Sequence, residues 1–342
     1  MIARCDGGGL AALTREVHRH LKPERTLLLD LEGAGRGGEC VPDDYLEGEV
    51  YRCGFAGGLP DRAVEWLTAE GIDTLWTAET FYDDHKLIRR AHGNGMRTIV
   101  YAMPELAPWQ YDPSIPPPRV FTVPTAWRLE TMPPNTQILP MPVARDRLPP
   151  GERREVRHLY HVAGAAMLDR NGTQILLDAL EHVVSDDLTL TIRTNGPTPM
   201  VPLGTRVHVE VLLEQRSHYW ESYPADIDLL VQPRRYGGLS LPVQECASLG
   251  VPTVCLATDP YASEAFTTTI MATSERDSRM KGGMIPVQSA DPRALARAID
   301  FLVEHPDVQH TASIEAGVWA EAHAWWGPLG DRWCATLGCE RR

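Results

Sequence analysis

The chain is short of lysine, has no paired cysteine spacing and carries no long apolar run. Each shortage closes off a class of function. Of 33 basic residues only Lys22, Lys86 and Lys281 are lysine, and 46 acidic residues leave a formal net charge of −13. That balance argues against a broadly basic nucleic-acid surface, while leaving room for a local arginine cleft. The seven cysteines include no Cys-x-x-Cys pair and are odd in number. Cys246 and Cys255 sit in apolar context, as reduced core residues do, which fits a reducing cytoplasm. No run approaches the ~18 apolar residues of a membrane span. The first residues carry Arg4 and Asp6 with no long apolar region, unlike a signal peptide. The expectation is a soluble, cytoplasmic protein.

What is present is a repeated strand–helix alternation. The length of 342 residues suggests roughly two domains. Met1 to Arg4, Thr26 to Leu31, Glu49 to Cys53, Ile72 to Thr77 and Arg97 to Ala102 read as strands. Helices are predicted over Leu10 to Leu21, Asp61 to Glu70 and Asp83 to His92. Prolines cluster from Pro104 to Pro150, with short strands at Val120 to Val123 and Gln137 to Leu139. The second half repeats the pattern, with strands at Arg157 to Val162, Leu188 to Thr194 and Val207 to Leu212. Its helices are expected at Gly172 to Val184, Ser217 to Tyr223, Ala294 to Glu304 and from about Thr311 onward. This alternation implies α/β architecture, with two doubly wound Rossmann-like domains facing across a crevice. Trp319, Trp325, Trp326 and Trp333 read as packing residues of a terminal helix.

One stretch carries the most chemistry. Asp228 to Gln232 is an apolar strand stopped by Pro233, Gly237-Gly238 permits positive φ or close approach, and Ser240 caps a helix with Pro242 in its first turn. Gly250 ends that helix before a further strand. A helix opening from a glycine turn at a strand's carboxyl end favours an anion through its free N–H groups and its dipole. Glu245 lies roughly one turn in, within reach of a sugar hydroxyl beside a phosphate. Other turns expected at the crevice are Gly7 to Gly9, Glu79, Pro104-Glu105, Gly164 to Arg170 and Asn195-Gly196.

From Pro233 to Val254 the chain resembles the C-terminal signature of GT-B glycosyltransferases of the family-four (group 1) type, roughly P-S-x-x-E-G-F-G-L-P-x-x-E-A-x-A-x-G-x-P-V. His161-Val162-Ala163-Gly164 and Asp169-Arg170-Asn171-Gly172, followed by ILLDAL, are similar to its G-R-x-x-x-x-K-G and L-L-x-A-L. The RRYGGL and DRNGT variants look most like enzymes of actinobacterial phages and their relatives. The resemblance implies GT-B organisation, with an acceptor-side domain at 1–145, a nucleotide-sugar domain at 146–315, and a returning helix at 316–342. It implies a UDP- or GDP-sugar donor, no cofactor and no metal.

Under that resemblance Glu245 would bind the donor ribose. Gly238, Leu239 and Ser240 would present N–H groups to the diphosphate or sugar, and Arg170 would neutralise the diphosphate in place of the family lysine. Gly8, Gly9, Gly164, Asn195 and Gly196 would frame the donor. Two departures stand out: Gly237 replaces the first glutamate of the pattern, and Ala165 replaces an arginine. Arg234 or Arg235 would supply the missing charge and Tyr236 would pack on the sugar. Candidate catalytic groups are Arg170, Glu79 and Glu105, with Asp6 and His85 as further possible bases. The Glu-x7-Glu spacing leans towards a retaining reaction, hexosyl or pentosyl, although its first carboxylate is absent.

Two alternatives follow: a nucleotide-sugar-binding or scaffold protein with impaired catalysis, or a sugar epimerase of GT-B fold. The acceptor would be a virion protein, a modified DNA base or a glycan, and the protein a monomer or homodimer. The cluster Arg145, Arg147, Arg153, Arg154 and Arg157 is either a phosphate-binding patch or a solvated linker. Gly33 to Gly38 fits GxGxxG, but no helix follows it, so a flexible loop is expected. Asp226-Ile227-Asp228 matches a DxD metal motif but precedes its strand, where a turn role is the better reading.

Overall fold

The structure, a computed structural model, describes residues 1–4, 9–30, 48–52, 61–78, 86–105, 118–143, 155–164, 169–194, 196–213, 223–280 and 283–340. The short apolar runs of the first half form seven strands: β1 (Ile2–Arg4), β2 (Thr26–Asp30), β3 (Gly48–Arg52), β4 (Thr74–Ala78), β5 (Arg97–Tyr101), β6 (Val120–Val123) and β7 (Gln137–Ile138). They pair in parallel in the order β3-β2-β1-β4-β5-β6-β7. Helices α1 (Gly9–Leu21), α2 (Asp61–Ala69) and α3 (Lys86–Gly93) provide the crossovers. Leu27, Leu28, Leu75, Ile99 and Val100 are buried, as strands covered on both faces require.

The second half builds a parallel sheet of β8 (His158–Val162), β9 (Thr189–Thr194), β10 (His208–Leu213), β11 (Leu229–Gln232), β12 (Thr253–Leu256) and β13 (Thr267–Ile270), in the order β10-β9-β8-β11-β12-β13. It is covered by α4 (Thr173–Leu180), α5 (Leu241–Ser248) and α6 (Pro292–Glu304). Strand order reverses beside β1 in the first sheet and beside β8 in the second. A crevice opens at such points, beyond the carboxyl ends of the strands. The two doubly wound sheets expected from the alternation are therefore present.

Three elements differ from the sequence reading. α4 ends at Leu180, short of Val184, because Asp300 of α6 accepts from the Val184 and Ser185 N–H groups at 3.2 and 2.9 Å. Asp187 then takes a left-handed φ of 59° and turns the chain into β9. A long antiparallel hairpin of β14 (Ala272–Met280) and β15 (Gly283–Ala290) was not foreseen, and neither was β13. Thr273 to Asp277 on β14 are exposed and polar, so they show no alternation; Ile285 and Val287 of β15 are buried against Tyr236. The expected helix at Ser217 to Tyr223 and the Gly33 to Gly38 loop lie outside the described residues, except for Tyr223.

The terminal helical segment is two helices, α7 (Pro306–His323) and α8 (Trp326–Leu337), broken at Ala324-Trp325. The break sends neighbouring tryptophans to different cores. On α7, Trp319 packs on Tyr261 and Phe266 in the second domain. On α8, Trp333 is fully buried between Trp76 and Tyr101 of the first sheet, with ring centroids 5.9 and 5.7 Å away. Its indole N–H donates to the Pro140 carbonyl at 2.9 Å. Thr336 O accepts from Arg97 at 2.9 Å. The chain's end thus crosses back to the first domain. Trp333→Ala should lower stability by about 3–5 kcal/mol, through lost burial and a residual cavity. Urea denaturation followed by fluorescence measures this, and a loss below about 1 kcal/mol would show that α8 docks weakly.

Candidate functional site

The loop from β8 to α4 shows why DRNGT has the residues it has. Asp169, with a left-handed φ of 49°, accepts from the Thr173 and Gln174 N–H groups at 2.8 and 3.0 Å and so caps α4. Asn171 donates to the carbonyls of Val162 and Ala163 at 2.8 and 2.9 Å, tying the loop to the end of β8. Thr173 is hydrogen-bonded to His161, whose other ring nitrogen meets Val231 O at 2.8 Å; burial lowers that histidine's pKa to about 4. Gly172 has a φ of 74°, and a Cβ there would collide with Pro233 O. This glycine lets the loop touch the end of β11, where Arg235 N donates to Arg170 O at 2.9 Å. Together these constraints aim Arg170 at the glycine turn.

The turn itself is built around a buried arginine. Arg234 donates through Nε to Tyr236 O at 2.8 Å and through Nη1 to Leu239 O. Burial, followed by the charge of Arg170, lowers its pKa to about 10, so it stays a cation at neutral pH. Gly237 adopts a φ of 118°, and a Cβ there would collide with Nη2 of Arg234 and lie 2.6 Å from Nη2 of Arg170. The missing glutamate of the resembled pattern thus has a packing cause. Two guanidinium groups fill the space its side chain would need.

Glu105 reaches this point from the first domain. Its carboxylate pairs with Arg170 through Oε1, and Oε2 accepts from Gly238 N at 3.1 Å. Burial pushes the carboxyl up, but Arg170, Arg234 and the N–H groups of Glu105 and Gly238 outweigh it, and its pKa lies below the usual value. Thr125 donates to the Gly238 carbonyl at 2.6 Å. A Cβ at Gly238 would lie 3.1 Å from Pro104 and 3.3 Å from Trp127. The first domain therefore grips both polar groups of a single peptide residue.

Deeper in the crevice, Ser240 begins α5 with its hydroxyl buried and without a hydrogen-bond partner; Arg170 Nε and Gln244 Oε1 are in the same condition. Unpartnered buried polar atoms are costly, and one of these, the Ser240 hydroxyl, stands at the N-terminus of α5. Glu245 is buried and accepts from the Tyr223 hydroxyl. Burial raises its pKa to about 7, against the opposing effects of Arg193 and Tyr223. Asp259, also buried, is pushed up to about 6 in spite of Arg234.

The structure brings together Glu105, Arg170, Arg234, Gly237 and Gly238. It places other expected residues differently. Tyr236 lies under Arg170, 5.4 Å from ring centre to guanidinium, and packs on Ile285 and Val287 of the hairpin. Arg235 donates to Gln288 O at 2.7 Å. Gly9 starts α1, where a Cβ would lie 2.9 Å from the Leu241 side chain. Gly164 takes a φ of 63° at the end of β8, and Gly196 N donates to Thr194 at 3.0 Å. Asp228 accepts from Arg157 N and His158 N, both at 2.9 Å, so the second acid of the DxD pair ties the start of β11 to the start of β8 and not to its own turn. Gly8, Glu79, Asn195, Ala165, Asp6 and His85 lie outside the described residues, as do Arg145, Arg147, Arg153 and Arg154. Sequence reasoning missed Thr125, Tyr223, Arg193 and Asp259. Thr125 follows the carboxyl end of β6, and that position was its only signal.

No protein-family model matches the chain, and no curated protein matches its sequence. Solved structures do match over almost the whole length. Anabaena HepE in complex with UDP-glucose is 12% identical, with a TM-score of 0.69, covering 98% of this chain and 99% of that one. Sucrose-phosphate synthase from Thermosynechococcus elongatus is 13% identical, with a TM-score of 0.67 and coverage of 98% and 97%. WaaG, a glycosyltransferase involved in lipopolysaccharide biosynthesis, is 14% identical, with a TM-score of 0.58 and coverage of 99% and 100%. These likenesses show the GT-B fold.

Two substitutions probe the site. Gly237→Glu restores the resembled pattern yet should destabilise by roughly 2 kcal/mol or more, from the positive φ and the filled space; an unchanged melting temperature would contradict this packing. Glu245 keeps its proton up to about pH 7 when folded, against 4.5 for the ordinary carboxyl. Its contribution is full below about pH 4.5 and falls as pH rises to about 7. Glu245→Gln, neutral throughout, should match the wild type at about pH 4 and exceed it at about pH 8 by up to about 3 kcal/mol. Denaturation at the two pH values checks the sign.

Proposed function

We propose that this protein is a glycosyltransferase that moves a sugar from a nucleotide-sugar donor to an acceptor hydroxyl, without a metal. The observation that supports the reading is that Arg170 and the Gly238 amide meet at one carboxylate in the turn that leads into α5, ahead of Ser240 with its buried, unpartnered hydroxyl. Breaking the anomeric bond leaves negative charge on the departing diphosphate. Preorganised guanidinium and N–H groups stabilise that charge at the moment it develops. Arg170 and Arg234 are the two cations, Gly238, Leu239 and Ser240 present the turn and helix end, and Glu245 takes the ribose. Gly8, Gly9, Gly164, Asn195 and Gly196 frame the donor. Glu79 is the acceptor-side base in this reading, and the two domains align the reacting groups.

Full-length likeness to HepE solved with UDP and with UDP-glucose supports a uridine donor over a guanosine one. Gly237 favours a second reading, a donor-binding protein with impaired transfer, because position 237 itself carries no carboxylate. The two readings share the donor site and differ in turnover.

A thermal-shift screen against nucleotide sugars tests the donor site. Ligand that binds the folded protein at about 100 times its Kd adds about 2.7 kcal/mol, so a true donor should raise the melting temperature by several degrees. Arg170→Ala should abolish that rise. No rise with any UDP- or GDP-sugar sinks the proposal. A rise without product on any acceptor selects the second reading.

A further inference from the structure

We infer that the depression between Trp127, the turn from Arg234 to Gly237, the loop from Thr258 to Pro260 and Pro286 of β15 binds a neutral sugar ring of the acceptor. The inference rests on the transfer reaction proposed above and names the class of its acceptor. The depression measures about 260 Å³ with its open mouth included. At ~30 Å³ for each water displaced, that is the room of roughly nine waters, space for one ring and not for an oligosaccharide. Trp127 is the wall from the first domain, and the remaining walls belong to the second. Because Trp127 packs with Tyr236, Ile285 and Val287, the depression exists with the two halves closed on each other.

The polar groups decide what fills it. Asp259 lines the depression and is buried; its Oδ1 accepts from Tyr261 N at 3.0 Å, but Oδ2 has no hydrogen-bond partner among the described residues. With a pKa of about 6 this carboxyl is mostly ionised at neutral pH. A buried carboxylate oxygen without a donor is costly, and a ligand hydroxyl supplies one. The cations that line the depression are already engaged: Arg234 donates to the Tyr236 and Leu239 carbonyls, and Arg235 to Gln288 O. An anionic ligand would meet the Asp259 carboxylate, and a cationic one would meet two guanidinium groups. A neutral ligand bearing hydroxyl groups avoids both. Trp127, Tyr236, Pro260 and Pro286 add the apolar surface that suits the C–H faces of a sugar ring. Position ties the depression to transfer. Gly237 lines it, and a Cβ on that residue would lie 2.6 Å from Nη2 of Arg170. A ring bound here is one glycine residue away from the guanidinium proposed to take the diphosphate.

Saturation-transfer NMR titration with the methyl glycosides of glucose, galactose and mannose, without and with saturating UDP, tests the site. At least one glycoside should bind the wild type, with or without UDP. Asp259→Asn keeps the shape but turns Oδ2 into a donor, since Oδ1 stays with Tyr261 N. It should weaken that glycoside about tenfold, the size of one hydrogen bond to a charged group. Trp127→Leu removes a ring wall and should also weaken it, and carries the test if the asparagine variant does not fold. The wild type should bind the matching methyl uronide, an anion, less well than the neutral glycoside, and Asp259→Asn should lose that preference. No binding of any neutral glycoside, equal binding by the folded variants, equal binding of the uronide by the wild type, or displacement by UDP overturns the inference. With a donor from the thermal-shift screen, transfer to other acceptors but not to the bound glycoside overturns the acceptor role. If glycosides bind as stated but UDP and nucleotide sugars bind no form, the depression stands as a sugar site and the donor assignment fails.

Discussion

The contact between Glu105, Arg170 and the Gly238 amide is the point on which the geometry of the site depends. It joins the carboxyl end of β5 in one sheet to the loops after β8 and β11 in the other. A buried pair of this kind contributes little net stability, because desolvation offsets most of the attraction, yet losing one partner costs about 3–5 kcal/mol. Its consequence is accordingly positional. It sets where the two domains meet and which groups an incoming anion finds.

Two glycines make that contact possible for opposite reasons. Gly172 removes a Cβ so that two backbones can touch, Pro233 O against the start of α4. Gly237 removes a Cβ so that two cationic side chains can lie side by side. The tail of the chain applies a second constraint: α7 stays with the second domain, while α8 buries Trp333 in the first. Among the described residues the two halves meet at the crevice through the Glu105 and Thr125 contacts to the glycine turn and through packing of Leu239 and Leu241, and behind it through α8.

Environment separates carboxylates that the sequence presents as equals. Glu105 is as buried as Glu245, but paired guanidiniums and N–H donors hold it ionised, while burial of Glu245 outweighs Arg193 and, more weakly, the Tyr223 hydroxyl. Asp259 lies between these cases. The first is suited to holding guanidinium groups in place. The second is suited to a neutral hydrogen-bonding role up to about pH 7.

By itself the sequence determined the two doubly wound sheets, because parallel strands buried on both faces must be short apolar runs separated by helices and glycine turns. It also determined the strand–turn–helix from Leu229 to Ser248, since caps and glycines are local signals, whereas the role given to Arg170 came from the resemblance of DRNGT to a known pattern. The hairpin of β14 and β15 stayed hidden because its outer strand is polar, and the break at Ala324-Trp325 because both flanking helices bury tryptophan. Only the tertiary structure decided that Glu105 meets Arg170 and Gly238, which are 65 and 133 residues away along the chain. It alone decided that Arg234 fills the place of the absent glutamate, and that Tyr236 faces the hairpin. Those outcomes depend on which strand ends are brought together in space, and residue spacing along one chain does not encode that.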